Sequence, residues 1–289
     1  MAESPKEKEP AACSAAALYN KLSSDRDIFL HRAIECSKYT IPTLIPPLGR
    51  SKSTKYYTPY QSVGARGVNN LASKLLMALL PVNSPFFRLQ IDDYTLEELT
   101  QQEGMRAKVE EGLNKIERAV QGEVEAGAIR VAAFEALKYL IVSGNALLYL
   151  PKEGGMRVFN LHRYVVQRDA MGNVTDIVVE EEVSPSTLPD EVQLLLGFKE
   201  SVEAEAKDSG ERAKSVKLYT HIYREGNVWE VYQEAKGVII PDSTGSYPLD
   251  KSTWIPLRFV RIDGEDYGRG YVEEYLGDIK SLEGLSQAI

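Results

Sequence analysis

The first part of the chain carries apolar residues at the three- and four-residue spacing of amphipathic helices. One such pattern covers residues 15–39, with Asp25 as a candidate break or cap. A second covers residues 63–80 and is stopped by Pro81. The stripe of this second pattern consists of Val63, Val68, Leu71, Leu75, Leu76, Leu79 and Leu80. The patterns predict two long helices, separated by an extended stretch at 40–60 whose four prolines forbid a regular helix.

A short strand and two further helices follow in the predicted order. The run "FFRLQI" at 86–91 is typical of a strand. Thr95 and the glutamates after it resemble a helix N-terminus, which predicts a helix through Val120. The pattern "RVAAFEALKYLIVSG" predicts another helix that ends at Gly144 and passes into the strand "ALLYLP".

Beyond Pro151 the pattern changes to the two-residue alternation of half-buried strands. Residues 157–183 alternate around the turn "DAMGN", and residues 216–240 alternate around "EGN", so each predicts a hairpin. The run "WIPLRFVRI" predicts a further strand. Residues 198–215 are charged and of low complexity, which favours a mobile surface loop or a short helix.

Residues 271–289 predict one more helix after a glycine-rich turn at 264–270, which we interpret as flexible. Its apolar positions are Val272, Leu276, Ile279, Leu282, Leu285 and Ile289. No glycine or asparagine cap and no basic last turn follows them. The pattern is therefore that of a helix cut before its end, and we expect its last turns to fray.

The predicted fold class is α+β, with a helical N-terminal portion, a β-rich module and a truncated final helix. The predicted division is a disordered polar tail at 1–14, a mainly helical region at 15–150, a β-rich module at 151–262 and the final helix at 271–289.

The length of 289 residues agrees with one large or two modest domains. The composition, 43% hydrophobic and 26% charged residues, is that of a globular protein. Cys13 and Cys36 imply no disulfide framework and favour free thiols in a reducing cytosol. We expect no signal peptide and no membrane span, since the start is polar and the apolar runs are short.

Charge is distributed unevenly around a net value of −8. No acidic residue lies between Cys36 and Ile91, where seven lysines and arginines occur, whereas residues 92–126 hold ten acidic residues against four basic ones. The two segments could dock within one chain or head to tail between copies. They could also be separately solvated faces, or the basic one could bind nucleic acid.

Motifs for catalysis or metal binding are missing from the sequence. There is no phosphate-binding loop, no dinucleotide fingerprint and no nucleophile elbow. His31, His162 and His221 stand far apart without a Cys or His partner at metal spacing, and we expect the last two in strands. We therefore predict no enzyme, no metal and no cofactor. Sixteen tyrosines and small residues in the helix at 63–80 suit a subunit that packs against copies of itself.

The chain resembles the portal, or head-to-tail connector, proteins of short-tailed podovirus and autographivirus phages. The resemblance covers residues 15 to 289 and matches the N-terminal half of these proteins. It rests on "KYTIPTLIPP", "TPYQSVGARGVNNLASKLLMALLP", "FEALKYLIVSGNALLYLP", "RYVVQRDAMGNV", "YTHIYRE" and "IPLRFVRIDGEDYGRGYVEEYLGDIKSLEGL".

The resemblance implies a structural subunit of a ring, typically of twelve copies, at one capsid vertex of the virion. Such a ring guides double-stranded DNA during packaging and ejection, and it contacts capsid and scaffolding proteins, terminase and tail proteins. It implies no catalytic site and no membrane, with synthesis in the host cytoplasm. Residues 15–262 would form the portal wing, and the helix from about Tyr271 would begin the stem.

Six basic residues are candidates for the subunit interface or the DNA channel: Arg50, Lys52, Lys55, Arg66, Lys74 and Lys280. Lys280, on the polar face of the final helix, could contact DNA or form a salt bridge between subunits. The alternative function is a nucleic-acid-binding adaptor that uses the basic segment 38–88.

Overall fold

Two compact units form the protein in the computed structural model, which describes residues 14–49, 53, 55–82, 84–91, 105–198 and 215–289. The sheet unit comprises the chain up to His31, Leu161–Ser252 and Ile262–Tyr267. The helical unit comprises Arg32–Asn160, Thr253–Arg261 and Gly268–Ile289. Each unit is assembled from separate stretches of sequence. The predicted linear division at residues 14, 150 and 262 stays a prediction.

Helices and antiparallel strands both occur in the described chain, which confirms the α+β class. The helices are α1 Ala15–Tyr39, α2 Val63–Leu79, α3 Met105–Ala126, α4 Ile129–Ser143, α5 Asp190–Leu195, α6 Tyr271–Glu274 and α7 Leu276–Ala288. The strands are β1 Asn145–Tyr149, β2 Arg157–Phe159, β3 Tyr164–Arg168, β4 Val174–Val183, β5 Val216–Glu225, β6 Val228–Ala235, β7 Val238–Ile239, β8 Gly245–Pro248 and β9 Trp254–Arg258.

The sheet unit is built on an antiparallel sheet of order β3-β4-β5-β6-β7, with β8 paired to β6. Both predicted hairpins are present in it, as β3–β4 and β5–β6. The first part of α1 packs against one face of this sheet. This core consists of Ala15, Tyr19 and Leu22 from the helix with Val165, Val178, Tyr219 and Tyr232 from the strands.

Polar contacts fix α1 at its start and within the sheet unit. The buried carboxylate of Glu234 accepts hydrogen bonds from Ser14 Oγ at 2.5 Å and from the Ala15 amide at 2.7 Å. The buried Arg26 donates to Tyr19 Oη at 2.9 Å and to the His162 carbonyl at 3.1 Å. These contacts hold a helix that runs without interruption past Asp25, so the candidate break there is wrong.

The helical unit contains the three-stranded antiparallel sheet β2-β1-β9 and packs α2, α3 and α6 against α4. Helix α4 passes directly into β1, as the sequence predicts. Asn145 joins this junction to the segment before α6. Its side-chain amide donates to the Gly268 carbonyl at 2.8 Å, and its carbonyl oxygen accepts from the Gly268 amide at 2.7 Å.

Glycines allow the two backbones to approach closely at this junction. A Cβ on Gly268 would lie 2.8 Å from the Gly144 carbonyl oxygen, and one on Gly270 would lie 2.5 Å from the Val142 oxygen. Gly268 and Gly270 are therefore packing positions, and the predicted flexible turn is wrong for both.

Other local predictions fail or lie outside the described residues. Residues 86–91 are not part of a strand. The last helix is interrupted at Tyr275, which separates α6 from α7. The predicted tail up to residue 13, the helix start at 92–104 and the charged loop at 199–214 lie outside the described residues.

Candidate functional site

The six candidate cations have different surroundings. Arg50 and Lys52 lie outside the described residues, so their roles stay predictions. Lys55, Arg66 and Lys74 are exposed. Within the described ranges, the side chains of these three residues have no ion-pair or hydrogen-bond partner. Their charges are therefore available to a partner molecule.

Helix α2 turns its small residues inward and part of its apolar stripe outward. Gly64, Val68 and Ala72 are buried, whereas Val63 and Leu79 are 58% and 60% exposed. The stripe read from the sequence is thus only partly a core face. Close packing at Gly64 and Ala72 brings α2 against its neighbours and leaves larger apolar side chains on the surface.

A surface depression lies on the outward face of α2. It is lined by Val63, Arg66, Gly67, Asn70, Leu71 and Lys74. Arg66, Asn70 and Lys74 recur at four-residue intervals and so lie along one side of the helix. The space beside Gly67 is open, because a Cβ built there would meet no atom within 4 Å. The sequence therefore brings two candidate cations together with apolar side chains on a single face.

Lys280 differs from the cations of α2 because it has a partner within its own unit. Its ammonium donates to Glu35 Oε1 at 2.5 Å and lies 5.8 Å from the centre of the Tyr39 ring. This hydrogen bond raises the pKa of Lys280. A contact of Lys280 with DNA or with a neighbouring subunit stays a prediction.

Removing the Lys280–Glu35 pair should have little effect on stability. The two side chains are 39% and 45% exposed, so solvent screens their attraction. We expect Lys280→Met to change the free energy of unfolding by less than about 1 kcal/mol, measured by urea denaturation. A double-mutant cycle with Glu35→Gln isolates the pair. A loss above about 2 kcal/mol would show that the pair acts as a buried one.

Glu283 is a buried charged side chain of this region that the sequence does not reveal. It is 3% exposed and accepts hydrogen bonds from Tyr57 Oη at 2.5 Å, from the Tyr60 amide at 2.9 Å and from the Gln61 amide at 3.3 Å. Gln61 in turn accepts from the Gly64 amide at 2.9 Å and donates to the Tyr39 carbonyl at 2.7 Å. A carboxylate of α7 thus holds the segment that leads into α2.

Hydrogen bonding decides the ionisation of Glu283. Burial would raise its pKa, but the hydrogen bonds from Tyr57, Tyr60 and Gln61 outweigh burial and lower it. The same contact raises the pKa of Tyr57 to about 12. Lys38 lies 4.9 Å from the centre of the Tyr57 ring, and this cation–π contact adds positive charge near the cluster. Glu283 is therefore ionised at neutral pH, and its contacts are charge-assisted.

His221 in the sheet unit has hydrogen-bond partners like those of a catalytic acid–base group, but solvent and substrate cannot reach it because it is buried. Its Nδ1 lies 3.1 Å from Tyr232 Oη, and its Nε2 lies 3.1 Å from Asp176 Oδ1. The side chains of His221 and Tyr232 are almost fully buried, so the group joins neighbouring strands. His162, which was expected in a strand, lies in the turn before β3.

Other reactive groups are equally enclosed. Cys36 is a free, buried thiol, and burial raises its pKa to about 12. In the described ranges no three His, Cys, Asp or Glu residues are grouped so that they could hold a metal ion. None of the described helices combines the length and the apolar character needed to cross a membrane.

Exposed apolar side chains beside cations on one face of α2 form the kind of surface patch that marks an interaction site. The chain belongs to the family of bacteriophage head-to-tail connecting proteins, whose model matches residues 12–289. This match confirms the resemblance read from the motifs.

Portal proteins are the curated relatives of the chain. It is 45% identical to the portal protein of Enterobacteria phage T3 over 95% of this chain and 51% of that protein. It is 43% identical to the portal protein of Escherichia phage T7 over the same shares. The portal protein of Pseudomonas phage phiKMV is 34% identical over 96% of this chain and 53% of its own length. The chain thus spans about half the length of the relatives it matches.

Proposed function

We propose that this chain is part of a portal subunit that assembles into a ring at one vertex of a phage capsid. The observation that carries the proposal is the 45% and 43% identity to the T3 and T7 portal proteins over 95% of the chain. The ring serves as a conduit for double-stranded DNA and as a docking platform for capsid, scaffolding, terminase and tail proteins. Twelve copies are the expected number, and the subunit is structural rather than enzymatic.

The charge of the chain supports a conduit more than a DNA-gripping protein. Each phosphate that a protein neutralises adds salt-dependent affinity, which would slow the passage of DNA. A net charge of −8 keeps that affinity low. Among the described candidates, only Lys55, Arg66 and Lys74 are unpaired, and so few cations favour the portal over the adaptor function.

Expression of the complete gene product tests this function. We expect ring-shaped particles in negative-stain micrographs, a matching mass in analytical ultracentrifugation and no ATPase or nuclease activity. Duplex DNA should be retained only weakly at about 0.15 M salt, because few phosphates are neutralised. Monomers or dimers with strongly salt-dependent DNA binding would refute the portal function and support the adaptor.

A further inference from the structure

The outward face of α2 has the features of a helix-docking surface. Val63 and Met77 are 58% and 62% exposed, and Lys74 carries an unpaired charge between them. Gly67 stands in the helix interior, where glycine costs about 1 kcal/mol relative to alanine. Within the described residues no contact explains that cost, since a Cβ at this position would meet no atom within 4 Å. A glycine does allow a second helix to approach closely.

Helix α3, which also belongs to the helical unit, presents a face that is complementary to the outward face of α2. Ile116 and Val120 are 53% and 41% exposed, and they lie on one side of the helix with Gly112 and Glu123. Gly112, like Gly67, has open space where a Cβ would be. In the described part of the chain, the exposed carboxylate of Glu123 has no ion-pair partner. Apolar side chains, an open glycine and one charge of opposite sign thus match the pattern on α2.

Double-stranded DNA fits the α2 face less well than a protein helix does. A phosphate backbone offers nothing to Val63, Leu71 and Met77, whose burial against a protein contributes about 25 cal/mol per Å². Helix axes pack about 8 to 10 Å apart, depending on the side chains at the contact, and open glycines favour the shorter distances.

We propose that α2 of one copy docks against α3 of a second copy, with Lys74 facing Glu123 and the two open glycines at the contact. The two faces differ, so the contact is heterologous, and repeated head to tail it closes a ring when the rotation per subunit allows. This inference rests on the proposed function and specifies how neighbouring subunits of the ring recognise each other.

Charge reversal in the complete gene product tests the pairing. Lys74→Glu and Glu123→Lys should each weaken association at least about tenfold, because like charges then face each other. The combined variant should recover to within about threefold of the wild type. Lys21→Glu, an exposed lysine on α1, is the matched control and should have no effect. Association is measured by sedimentation equilibrium, and circular dichroism verifies that each variant is folded.

Disulfide trapping gives an independent measurement in a Cys13→Ser background. Asn70→Cys on α2 and Ala119→Cys on α3 should cross-link when the two proteins, in which the remaining Cys36 is buried, are mixed and oxidised. Neither protein alone should cross-link, and Asn20→Cys should not replace Asn70→Cys.

Cross-linking of Asn70→Cys with itself, or rings that form normally in both reversal variants, would overturn the α2–α3 contact and leave the portal function standing. Reversal variants that assemble normally but retain DNA differently would assign the α2 face to DNA instead. If the wild type forms no rings, the portal function itself fails.

Discussion

Replacing Gly144 with alanine should destabilise the helical unit by about 3 to 5 kcal/mol. Gly144 ends α4 with φ 74° and ψ −1°, a left-handed conformation that costs other residues about 1 to 2 kcal/mol. Its Cα also faces the segment before α6, where an added Cβ would lie 2.2 Å from the carbonyl carbon of Arg269. That atom belongs to the backbone, so the strand-to-helix segment would have to move, and such overpacking costs about 1 to 3 kcal/mol or more.

The two tryptophans allow this effect to be localised. Trp254 lies in the helical unit and Trp229 lies in the sheet unit, so Trp229→Phe leaves a fluorescence signal from the helical unit. Urea unfolding of Gly144→Ala in that background gives the free energy. Gly49→Ala is the control, since Gly49 lies in the same unit and has a φ of 68° but nothing within 4 Å of a Cβ. It should lose only about 1 to 2 kcal/mol. Equal losses at the two positions would contradict a close approach at Gly144.

Local signals in the sequence located most of the regular structure. The Gly144–Asn145 pair marks the end of α4 because a helix commonly ends on a left-handed glycine. The "DAMGN" turn fixes the β3–β4 hairpin, where the Asp169 carboxylate accepts hydrogen bonds from the amides of Met171 and Asn173. These features need only a few neighbouring residues, so a single sequence contains them.

Long-range contacts account for what the sequence did not reveal. The run at 86–91 has the composition of a strand, but a strand also needs a pairing partner, and that is a property of the fold. The pairing of β1 with β9 joins residues more than a hundred positions apart. Arg26 and Glu234 are charged residues that local patterns place on the surface, yet both are buried, and each forms hydrogen bonds with distant residues.

The candidate site divides in the same way. Helical spacing alone predicts that Arg66, Asn70 and Lys74 share one side of α2. The inward burial of Gly64 and Ala72, which turns that side to solvent, depends on contacts that periodicity does not specify. Glu283 looks like a solvated glutamate on the polar side of α7. Its partners at 57–61 are over two hundred residues away, so no local signal marks it.

Replacing Glu283 with glutamine should destabilise the helical unit by about 2 to 4 kcal/mol, because buried charge-assisted hydrogen bonds are lost and donors are left unpaired. Tyr57 Oη and the amides of Tyr60 and Gln61 all donate to this carboxylate. A double-mutant cycle with Tyr57→Phe measures the interaction free energy between Glu283 and Tyr57. Glu274→Gln, an exposed glutamate on α6, is the control and should change the unfolding free energy by less than about 0.5 kcal/mol.

The pH dependence of this difference identifies the ionised carboxylate as its source. The hydrogen bonds hold the pKa of Glu283 below its usual value of 4.5 in the folded protein. A group with a lowered folded-state pKa contributes stability that is complete above the unfolded-state pKa and is lost as the pH falls through the folded-state pKa. The free-energy difference between the wild type and Glu283→Gln should therefore be constant from about pH 8 to about pH 5.5 and shrink at lower pH. A difference that persists unchanged to about pH 3 would mean that shape, not charge, makes Glu283 hold the 57–61 segment to α7.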